Sequence, residues 1–461
     1  MKSILNLRGV FAMANSNDGD KICSCHLCRS NYIFSMPQEI IESTIKNELV
    51  IFAGAGVSTE SSIAFQSTFY QDIKDELETS EDNNIRFSDL MSLYCKMSDG
   101  KRKLFQRLWY RFNYAKSFQE VYNLSTRFHR ELSTIHHIKE IVTTNWDDYF
   151  EEECGAIPIV NSKDFVFWDL PNRKVFKLHG CIRNFSSLVI TKEDYEDCSK
   201  ELNSGQLKGS YLKMLLATKK VVFVGYSFGD EDFNQLYNML NSEMNGLFPH
   251  SYIITLDDDI ENKLPSKKIT PIITDATYFI SELKKHLVEM GLMVSDITFE
   301  KIPNLLDNAL NIHNAISEEV SLRDYPILLY ALSYQDGMIH AYQRIIKMKN
   351  TGEYSCPGCL QKLINNYKQI RSEKVRSKNY YDVSYIDGYI EGLYSLLIDG
   401  EQLSEITPYY IYGYKYIIDN FNEFIDILKS KEIFHKAAFK QAAKIVKDLD
   451  PRVVPHHTPF L

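Results

Sequence analysis

The sequence contains no run of about 18 apolar residues, so it predicts no membrane-spanning helix and no membrane partner. The apolar stretch at the amino terminus, Met1–Met13, is short and contains Arg8, so it does not predict a secretory signal peptide. Positive charge is not in excess either. The chain has 52 lysines and arginines and 61 acidic residues. Its net charge of −9 gives no reason to expect sequence-specific nucleic-acid binding. These absences predict a cytoplasmic protein.

Internal repeats and low-complexity tracts are also missing, and the length of 461 residues favours two or three domains. Residues 1–36 form a cysteine-containing amino-terminal extension. Residues 37–290 alternate strand-like runs with amphipathic stretches, which predicts a Rossmann-like α/β domain with a parallel sheet and helices on both faces. Residues 291–461 carry apolar residues at helical spacing and predict a mainly helical carboxyl-terminal domain. The predicted strands are Leu49–Ala53, Glu140–Thr144, Val175–Leu178, Leu188–Thr191, Val221–Gly225 and Tyr252–Leu256.

The first predicted strand, Leu49–Ala53, ends in the sequence Gly-Ala-Gly-Val-Ser at residues 54–58. Glycines at the end of a strand let backbone N–H groups approach a phosphate closely, because no Cβ is in the way. The full G-x-G-x-x-G spacing of dinucleotide-binding loops is absent. Residues 54–58 alone therefore indicate either a dinucleotide cradle or an ordinary glycine turn.

Three later strands also end in polar residues or glycine. Because the carboxyl ends of parallel strands share one edge of a sheet, we expect Ser58, Asn145, His179 and Ser227 to converge on one crevice. Each has a structural alternative when taken singly: His179 as a core histidine, and Asn145 or the nearby Asp147 as a helix cap. The strand ends are Thr-Thr-Asn-Trp-Asp-Asp at 143–148, Lys-Leu-His-Gly at 177–180 and Gly-Tyr-Ser at 225–227.

Taken together, the four segments resemble the motifs of sirtuins, in sirtuin order. The resemblance implies that the crevice binds NAD+, with the glycine segment wrapping the diphosphate. The cofactor-binding residues that it implies are Ala53, Gly54, Ala55, Gly56, Val57, Ser58, Thr144, Asp147, Gly225 and Ser227.

The resemblance also implies roles in cleaving the nicotinamide–ribose bond. Cleavage builds positive charge on the ribose while nicotinamide leaves as a neutral molecule, so no strong acid is needed. Asp147 would hold the nicotinamide carboxamide, and Asn145 would orient the ribose and the attacking water. His179 would act as general base, a role that suits the titration range of histidine. Ser227 would contact the adenosine-side phosphate or ribose.

One feature of protein-deacylating sirtuins is absent. They carry two Cys-x-x-Cys pairs between the catalytic histidine and the later glycine–serine strand, whereas this interval holds only Cys181 and Cys198. Thr144 also replaces the glutamine that is usual in deacylases. These departures resemble the sirtuin-like NADases of bacterial anti-phage defence, some of which work with a HerA-type hexameric ATPase. The resemblance implies hydrolysis of NAD+ to nicotinamide and ADP-ribose. We expect low basal activity, because uncontrolled NAD+ hydrolysis would poison the host. The alternatives are a protein deacylase or ADP-ribosyltransferase, and a non-catalytic NAD+ or ADP-ribose-binding assembly module.

Two Cys-x-x-Cys pairs lie outside that interval. Cys25 and Cys28 belong to the amino-terminal extension, and Cys356 and Cys359 enclose Pro-Gly in the helical region. Both pairs have the spacing of zinc ligands, and four thiolates can make one structural zinc site if the fold brings them together. Unrelated free thiols are the alternative, and a redox role is less favoured. We expect the helical domain to serve homo-oligomerisation or partner docking.

Overall fold

The structure is a computed structural model that describes residues 32–58, 67–77, 85–203, 206–226, 237–238, 240, 242–398, 406–450 and 453–460. The described residues fall into two compact units. The first takes its residues from Met1–Leu132 and His137–His286, and the second from Ser133–His136 and Leu287–Leu461.

A parallel sheet of seven strands forms the centre of the first unit. In chain order the strands are β1 (Leu49–Ala53), β2 (Glu140–Thr143), β3 (Ile157–Ile159), β4 (Lys174–Lys177), β5 (Lys220–Val224), β6 (Ser251–Thr255) and β7 (Ile269–Ile273). Their order across the sheet is β3-β4-β2-β1-β5-β6-β7. Every residue of β1 and β4 is buried, as expected of strands that are covered on both faces of a parallel sheet.

The central strand β1 pairs with β2 on one side and with β5 on the other. The chain builds the half of the sheet containing β2, β3 and β4 first, and then returns past β1 to start the other half at β5. Such a reversal opens a crevice beyond the carboxyl ends of the strands, where ligands of α/β sheets bind. The Rossmann-like α/β prediction is therefore confirmed.

Helices and turns surround the sheet. Val50 and Phe52 of β1 point to one face and pack in a core with Leu212 and Leu215. The helices that begin in the first unit are α1 (Gln38–Ile45), α2 (Phe69–Glu76), α3 (Phe87–Cys95), α4 (Gly100–Ser117), α5 (Gln119–Ser125), α6 (Arg127–Ser133), α7 (Tyr149–Cys154), α8 (Lys192–Asn203), α9 (Leu207–Thr218) and α10 (Ala276–Glu289).

One predicted strand, Leu188–Thr191, is wrong, and two real strands, β3 and β7, were not predicted. The predicted segment has a single sheet-like contact, in which the Val189 N–H donates to the His179 carbonyl at 3.0 Å. Its apolar residues Leu188 and Ile190 are buried in a cluster with residues of α2, α3 and α4. A run of four apolar residues indicates that the segment is buried. It does not indicate whether the segment pairs as a strand or packs against helices.

The second unit is mainly helical, as the sequence predicts. Its helices are α11 (Asp296–Glu319), α12 (Leu328–Met348), α13 (Pro357–Arg376), α14 (Tyr380–Tyr394), α15 (Phe421–Lys429) and α16 (Lys436–Asp448). Buried tyrosines, including Tyr334, Tyr342, Tyr385 and Tyr389, fill much of its core. Among the described residues of the whole chain, no helix combines the length and the hydrophobicity that crossing a membrane requires.

Candidate active site

A cavity of about 610 Å³ lies at the carboxyl ends of β1, β2, β4 and β5 in the first unit. This volume falls within the range of roughly 300 to 1,000 Å³ that is typical of small-molecule sites. It is lined by Gly54, Ala55, Gly56, Ser58, Thr68, Phe69, Tyr70, Phe87, Phe112, Thr144, Asn145, Trp146, Asp147, His179, Tyr195, Gly225 and Tyr226.

The glycine segment after β1 packs against the end of β5 at very short range. A Cβ on Gly54 would lie 2.5 Å from the Gly225 carbonyl oxygen, and a Cβ on Gly56 would lie 2.9 Å from the Gly225 Cα. Gly225 itself has φ of +56°, in the left-handed region that favours glycine. Three glycines are therefore needed for β1 and β5 to close this side of the cavity.

Four of the five backbone N–H groups of residues 54–58 already have partners. Gly54 N–H donates to Val224 O at 2.9 Å, and Gly56 N–H donates to Gly225 O at 3.0 Å. The N–H groups of Val57 and Ser58 donate to carbonyls within the segment, in a short 3₁₀ turn. In this conformation these four groups are not offered to a phosphate. The glycines shape the cavity wall by their small size.

Asn145 is held in one orientation beneath the glycine segment. Its side-chain nitrogen donates to the Gly54 carbonyl at 3.0 Å and to Ser58 Oγ at 3.0 Å. A carbonyl oxygen can only accept, so the amide nitrogen must face Gly54 and the amide oxygen is left for another partner. Asn145 is only 7% exposed. It is therefore a positioned hydrogen-bonding group of the cavity rather than a helix cap.

Asp147 lines the same cavity and is buried, with 2% of its surface exposed. Its Oδ1 accepts the Tyr149 backbone N–H at 3.1 Å, so the carboxylate also caps the start of α7. Burial raises the pKa of Asp147 to about 6, against the opposing attraction of Lys177 and a hydrogen bond from Ser58. The group therefore changes charge close to neutral pH.

Lys177, the last residue of β4, is a component of the site that the sequence analysis did not single out. Its side chain is fully buried, and its ammonium group donates to the Asp147 carbonyl and to Glu151 Oε1, the latter at 3.1 Å. Burial alone would lower the pKa of Lys177, but the nearby acidic groups of Glu151, Cys181 and Asp147 outweigh burial and raise it. A lysine that ends an apolar strand was the available signal, and its carboxylate partners were not evident from the sequence.

His179 follows β4 and is also buried, with 5% exposure, at the cavity wall. Its ring packs edge-on against the ring of Tyr195, with centroids 5.0 Å apart and an angle of 66° between the ring planes. Gly180 follows at φ +86°, where a Cβ would lie 2.0 Å from the Ser187 carbonyl oxygen. The sharp turn after His179 therefore depends on glycine, and it sets the direction in which the histidine leaves the strand.

An aromatic wall completes the cavity and was not predicted. Trp146 contacts Phe87, with ring centroids 5.8 Å apart, and its indole Nε1 is buried with no hydrogen-bond partner among the described residues. Aromatic faces of this kind can hold flat rings by stacking. The wall is formed by Phe69, Tyr70, Phe87, Phe112, Trp146, Tyr195 and Tyr226.

The structure thus brings most of the predicted site residues to one cavity, including both predicted catalytic residues. Ala53 and Val57 are buried and are not among the lining residues. Ser227, Cys25 and Cys28 lie outside the described residues. The predicted residues that line the cavity are Gly54, Ala55, Gly56, Ser58, Thr144, Asn145, Asp147, His179 and Gly225.

Residues 139–278 match the family model of the SIR2-like domain. This segment is therefore similar to SIR2-like domains. The matched region runs from the start of β2 into α10, and it includes Asn145, Asp147, Lys177 and His179. The resemblance to sirtuins is therefore confirmed.

Two curated relatives are similar to part of this chain. The chain is 24% identical over 262 residues to "Defense-associated sirtuin 2" of Bacillus subtilis, covering 53% of this chain and 24% of that protein. It is 29% identical over 211 residues to "NAD(+) hydrolase ThsA" of Cytobacillus dafuensis, covering 44% of this chain and 40% of that protein. The matches therefore span less than half the length of these relatives.

Proposed function

We propose that this chain hydrolyses NAD+ to nicotinamide and ADP-ribose. The observation that carries the proposal is the placement of Asn145, Asp147 and His179 on one 610 Å³ cavity of a SIR2-like domain. Relatives that bear the name NAD(+) hydrolase support the same chemistry. NAD+ is then the substrate, and water is the acceptor of the ADP-ribosyl group.

The polar groups of the cavity suit both the nicotinamide that leaves and the water that attacks the ribose. The Asp147 carboxylate can accept the N–H of the nicotinamide carboxamide, and the amide oxygen of Asn145 can accept a hydrogen bond from the ribose or from water. His179 can take the proton of the attacking water as the carbon–oxygen bond to the ribose forms and the bond to nicotinamide breaks. Burial of all three groups strengthens these interactions, because little solvent competes with them.

Removing these groups tests the proposal. We expect Asn145→Ala and His179→Ala each to lower the rate of ADP-ribose release at least about a hundredfold, the usual loss for a positioned general base. The measurement is chromatography of nucleotides after incubation of the purified full chain with NAD+, alone and with any protein encoded next to it.

Matched variants outside the cavity are the controls. Asn123→Ala removes an amide that pairs with Gln119 on the surface of α5, and His250→Ala removes an imidazole that contacts Thr270 beside β6. Both should keep the wild-type rate. Wild-type rates in Asn145→Ala and His179→Ala would show that the site is misassigned. NAD+ binding by calorimetry without turnover in any of these mixtures would favour a non-catalytic binding module.

We further propose that the chain is a cytoplasmic, NAD+-depleting effector of anti-phage defence. The name of the Bacillus subtilis relative supports this context. A protein deacylase or ADP-ribosyltransferase is less favoured, because the interval from His179 to Gly225 lacks the paired cysteines of the deacylase zinc module. Acyl-lysine-dependent release of nicotinamide would contradict the hydrolase proposal.

The roles of the three regions of the chain are also proposals. We assign residues 1–36 to an extension, 37–290 to the catalytic domain and 291–461 to a helical domain for homo-oligomerisation or partner docking. The resemblance to defence NADases suggests a HerA-type hexameric ATPase as a partner and low basal activity. Mass photometry of the full chain, with and without a neighbouring ATPase, tests both the assembly and the partner.

A further inference from the structure

A second cluster of chemically reactive side chains lies within the second unit. Cys356 and Cys359 form no disulfide, and their sulfurs are 2.8 Å apart. His136 lies beside them, with its Nε2 3.3 Å from Cys359 Sγ. The three ligand atoms all lie within 4.8 Å of one another, and each residue is partly buried. Three donors from two distant parts of the sequence therefore meet at one point.

The start of α13 brings the two thiols together. Cys356 is the amino-terminal cap of α13, and its sulfur accepts the Cys359 backbone N–H at 3.3 Å. Pro357 occupies the first turn, where its missing N–H leaves no helical hydrogen bond unmade. The geometry of the helix start therefore positions both sulfurs, and the Cys-x-x-Cys pair lies at the amino terminus of α13.

The backbone also holds His136 in place. Gly352, in the turn before Cys356, has φ of +73°. A Cβ at Gly352 would lie 2.8 Å from His136 N and 2.9 Å from His136 Cα, so only glycine allows this approach. The position of the imidazole beside the thiols is therefore set by close packing of two chain segments.

We propose that His136, Cys356 and Cys359 bind one Zn²⁺ through the imidazole Nε2 and two thiolate sulfurs. Thiolate and imidazole are the ligands that zinc prefers, and C-x-x-C is the usual spacing of a zinc-binding pair. Binding releases the two thiol protons to solvent, so zinc affinity falls as the pH falls. Three ligands leave one position of the tetrahedron for a further donor.

This ligand set differs from the four-cysteine site that the sequence suggested, because it includes a histidine. A dithiol redox pair would not need a third donor, whereas a metal site does. The bound ion would link residues 133–136 to the start of α13 and thereby stabilise the second unit. The proposal does not depend on NAD+ hydrolysis, because its readouts are metal content and metal coordination.

The test is metal analysis and X-ray absorption spectroscopy of the purified full chain. We expect one zinc per chain and a first shell of two or three sulfurs at about 2.3 Å with at least one nitrogen at about 2.0 Å. His136→Ala and Cys359→Ser should each lower bound zinc at least tenfold after dialysis against a weak chelator. The controls are His137→Ala, which removes the neighbouring imidazole, and Cys95→Ser in α3, and both should retain the metal.

Three results would overturn the proposal. A first shell of four sulfurs without nitrogen would exclude His136 as a ligand. Full zinc content in His136→Ala would do the same. A metal-free protein with a Cys356–Cys359 disulfide in non-reducing peptide mass spectrometry would make the pair a redox site. The wild-type spectrum requires no variant, so it decides the matter even if Cys359→Ser does not fold.

Discussion

At the scale of single residues, the cavity depends on side chains whose direction and charge are set by their neighbours. Asn145 is oriented by the Gly54 carbonyl and Ser58, and Asp147 is buried next to the ammonium group of Lys177. Of these residues, Asn145 and Asp147 were predicted from the motif order, because a polar cluster after an apolar strand is visible in a sequence. The amide orientation and the charge balance around Asp147 depend on contacts between separate strands.

The pKa of Asp147 predicts how the proposed reaction depends on pH. The ionised carboxylate accepts the nicotinamide N–H more strongly than the neutral acid does, because a hydrogen bond to a charged acceptor is the stronger one. Since burial raises its pKa to about 6, we expect kcat/KM to rise with pH with a midpoint near 6. Asp147→Asn should remove the part of this acidic limb that Asp147 contributes, leaving that of the general base His179, and should lower kcat/KM at pH 8 about tenfold, because a charged hydrogen bond is replaced by a neutral one. The measurement is the pH profile of ADP-ribose release.

The raised pKa of Asp147 also affects folding: ionisation of this group favours the proposed activity but lowers stability. The folded-state pKa lies above the ordinary value of 3.8, so ionisation of Asp147 costs stability, and this cost grows as the pH rises from about 4 to 6. The Asp147→Asn variant should therefore remain folded at pH 8, which makes it a usable control for the kinetic effect. An unchanged acidic limb in this variant would show that another group titrates in the wild type.

At the scale of elements, strand order and helix contacts decide what the motifs can do. The motif order predicted that several strand ends meet, and the placement of β1 between β2 and β5 brings them to one crevice. Leu188–Thr191 shows the limit of pattern analysis, since its apolar residues face helices. In the second unit, α12 and α14 approach so closely that backbone touches backbone at Gly337 and Gly388.

The close contact of α12 and α14 at Gly388 leads to a prediction about stability. A Cβ there would lie 1.8 Å from the Tyr334 carbonyl oxygen, so Gly388→Ala must separate α12 from α14. We expect the free energy of unfolding to fall by about 3 kcal/mol or more, at the upper end of overpacking effects, although alanine favours helices over glycine by about 1 kcal/mol. Urea denaturation monitored by circular dichroism measures this change.

Gly358 is the matched control for this substitution. It is also helical, but a Cβ there would meet nothing closer than Cys356 Sγ at 4.0 Å. Gly358→Ala should therefore leave stability unchanged or slightly raised. Equal losses in the two variants would show that the close contact at Gly388 is not the cause.

At the scale of the whole molecule, the two compact units carry different chemistry. The cavity that we propose binds NAD+ is built only from residues of the first unit, and the His136, Cys356 and Cys359 cluster only from residues of the second. A ligand bound in the cavity and a metal bound by the His136, Cys356 and Cys359 cluster should therefore stabilise different parts of the chain. This expectation follows from linkage, because a ligand slows only those opening reactions that release it.

Hydrogen exchange with mass spectrometry can check this separation. With the inactive His179→Ala variant and NAD+ at about 100 times its Kd, exchange around residues 54–58 and 143–148 should slow by up to about a hundredfold. Removing zinc from the wild type should speed exchange around residues 353–376. Slower exchange of 353–376 on NAD+ addition, equal to that of the cavity segments, would contradict the separation.

The sequence alone determined the class of each region and suggested which residues form the main site, because both depend on local patterns. Apolar periodicity distinguishes strands from helices within a few residues, and the order of four short motifs is a property of the chain itself. The α/β region, the helical region and the sirtuin resemblance were all predictable for this reason.

Only the tertiary structure decided which groups are partners. It placed Lys177 against the Asp147 carbonyl, paired four amides of the glycine segment with backbone carbonyls, and set His136 beside Cys356 and Cys359. Each of these contacts joins residues that are distant in the chain or belong to different strands. Their charge, burial and hydrogen bonding come from packing in three dimensions, which no local pattern records.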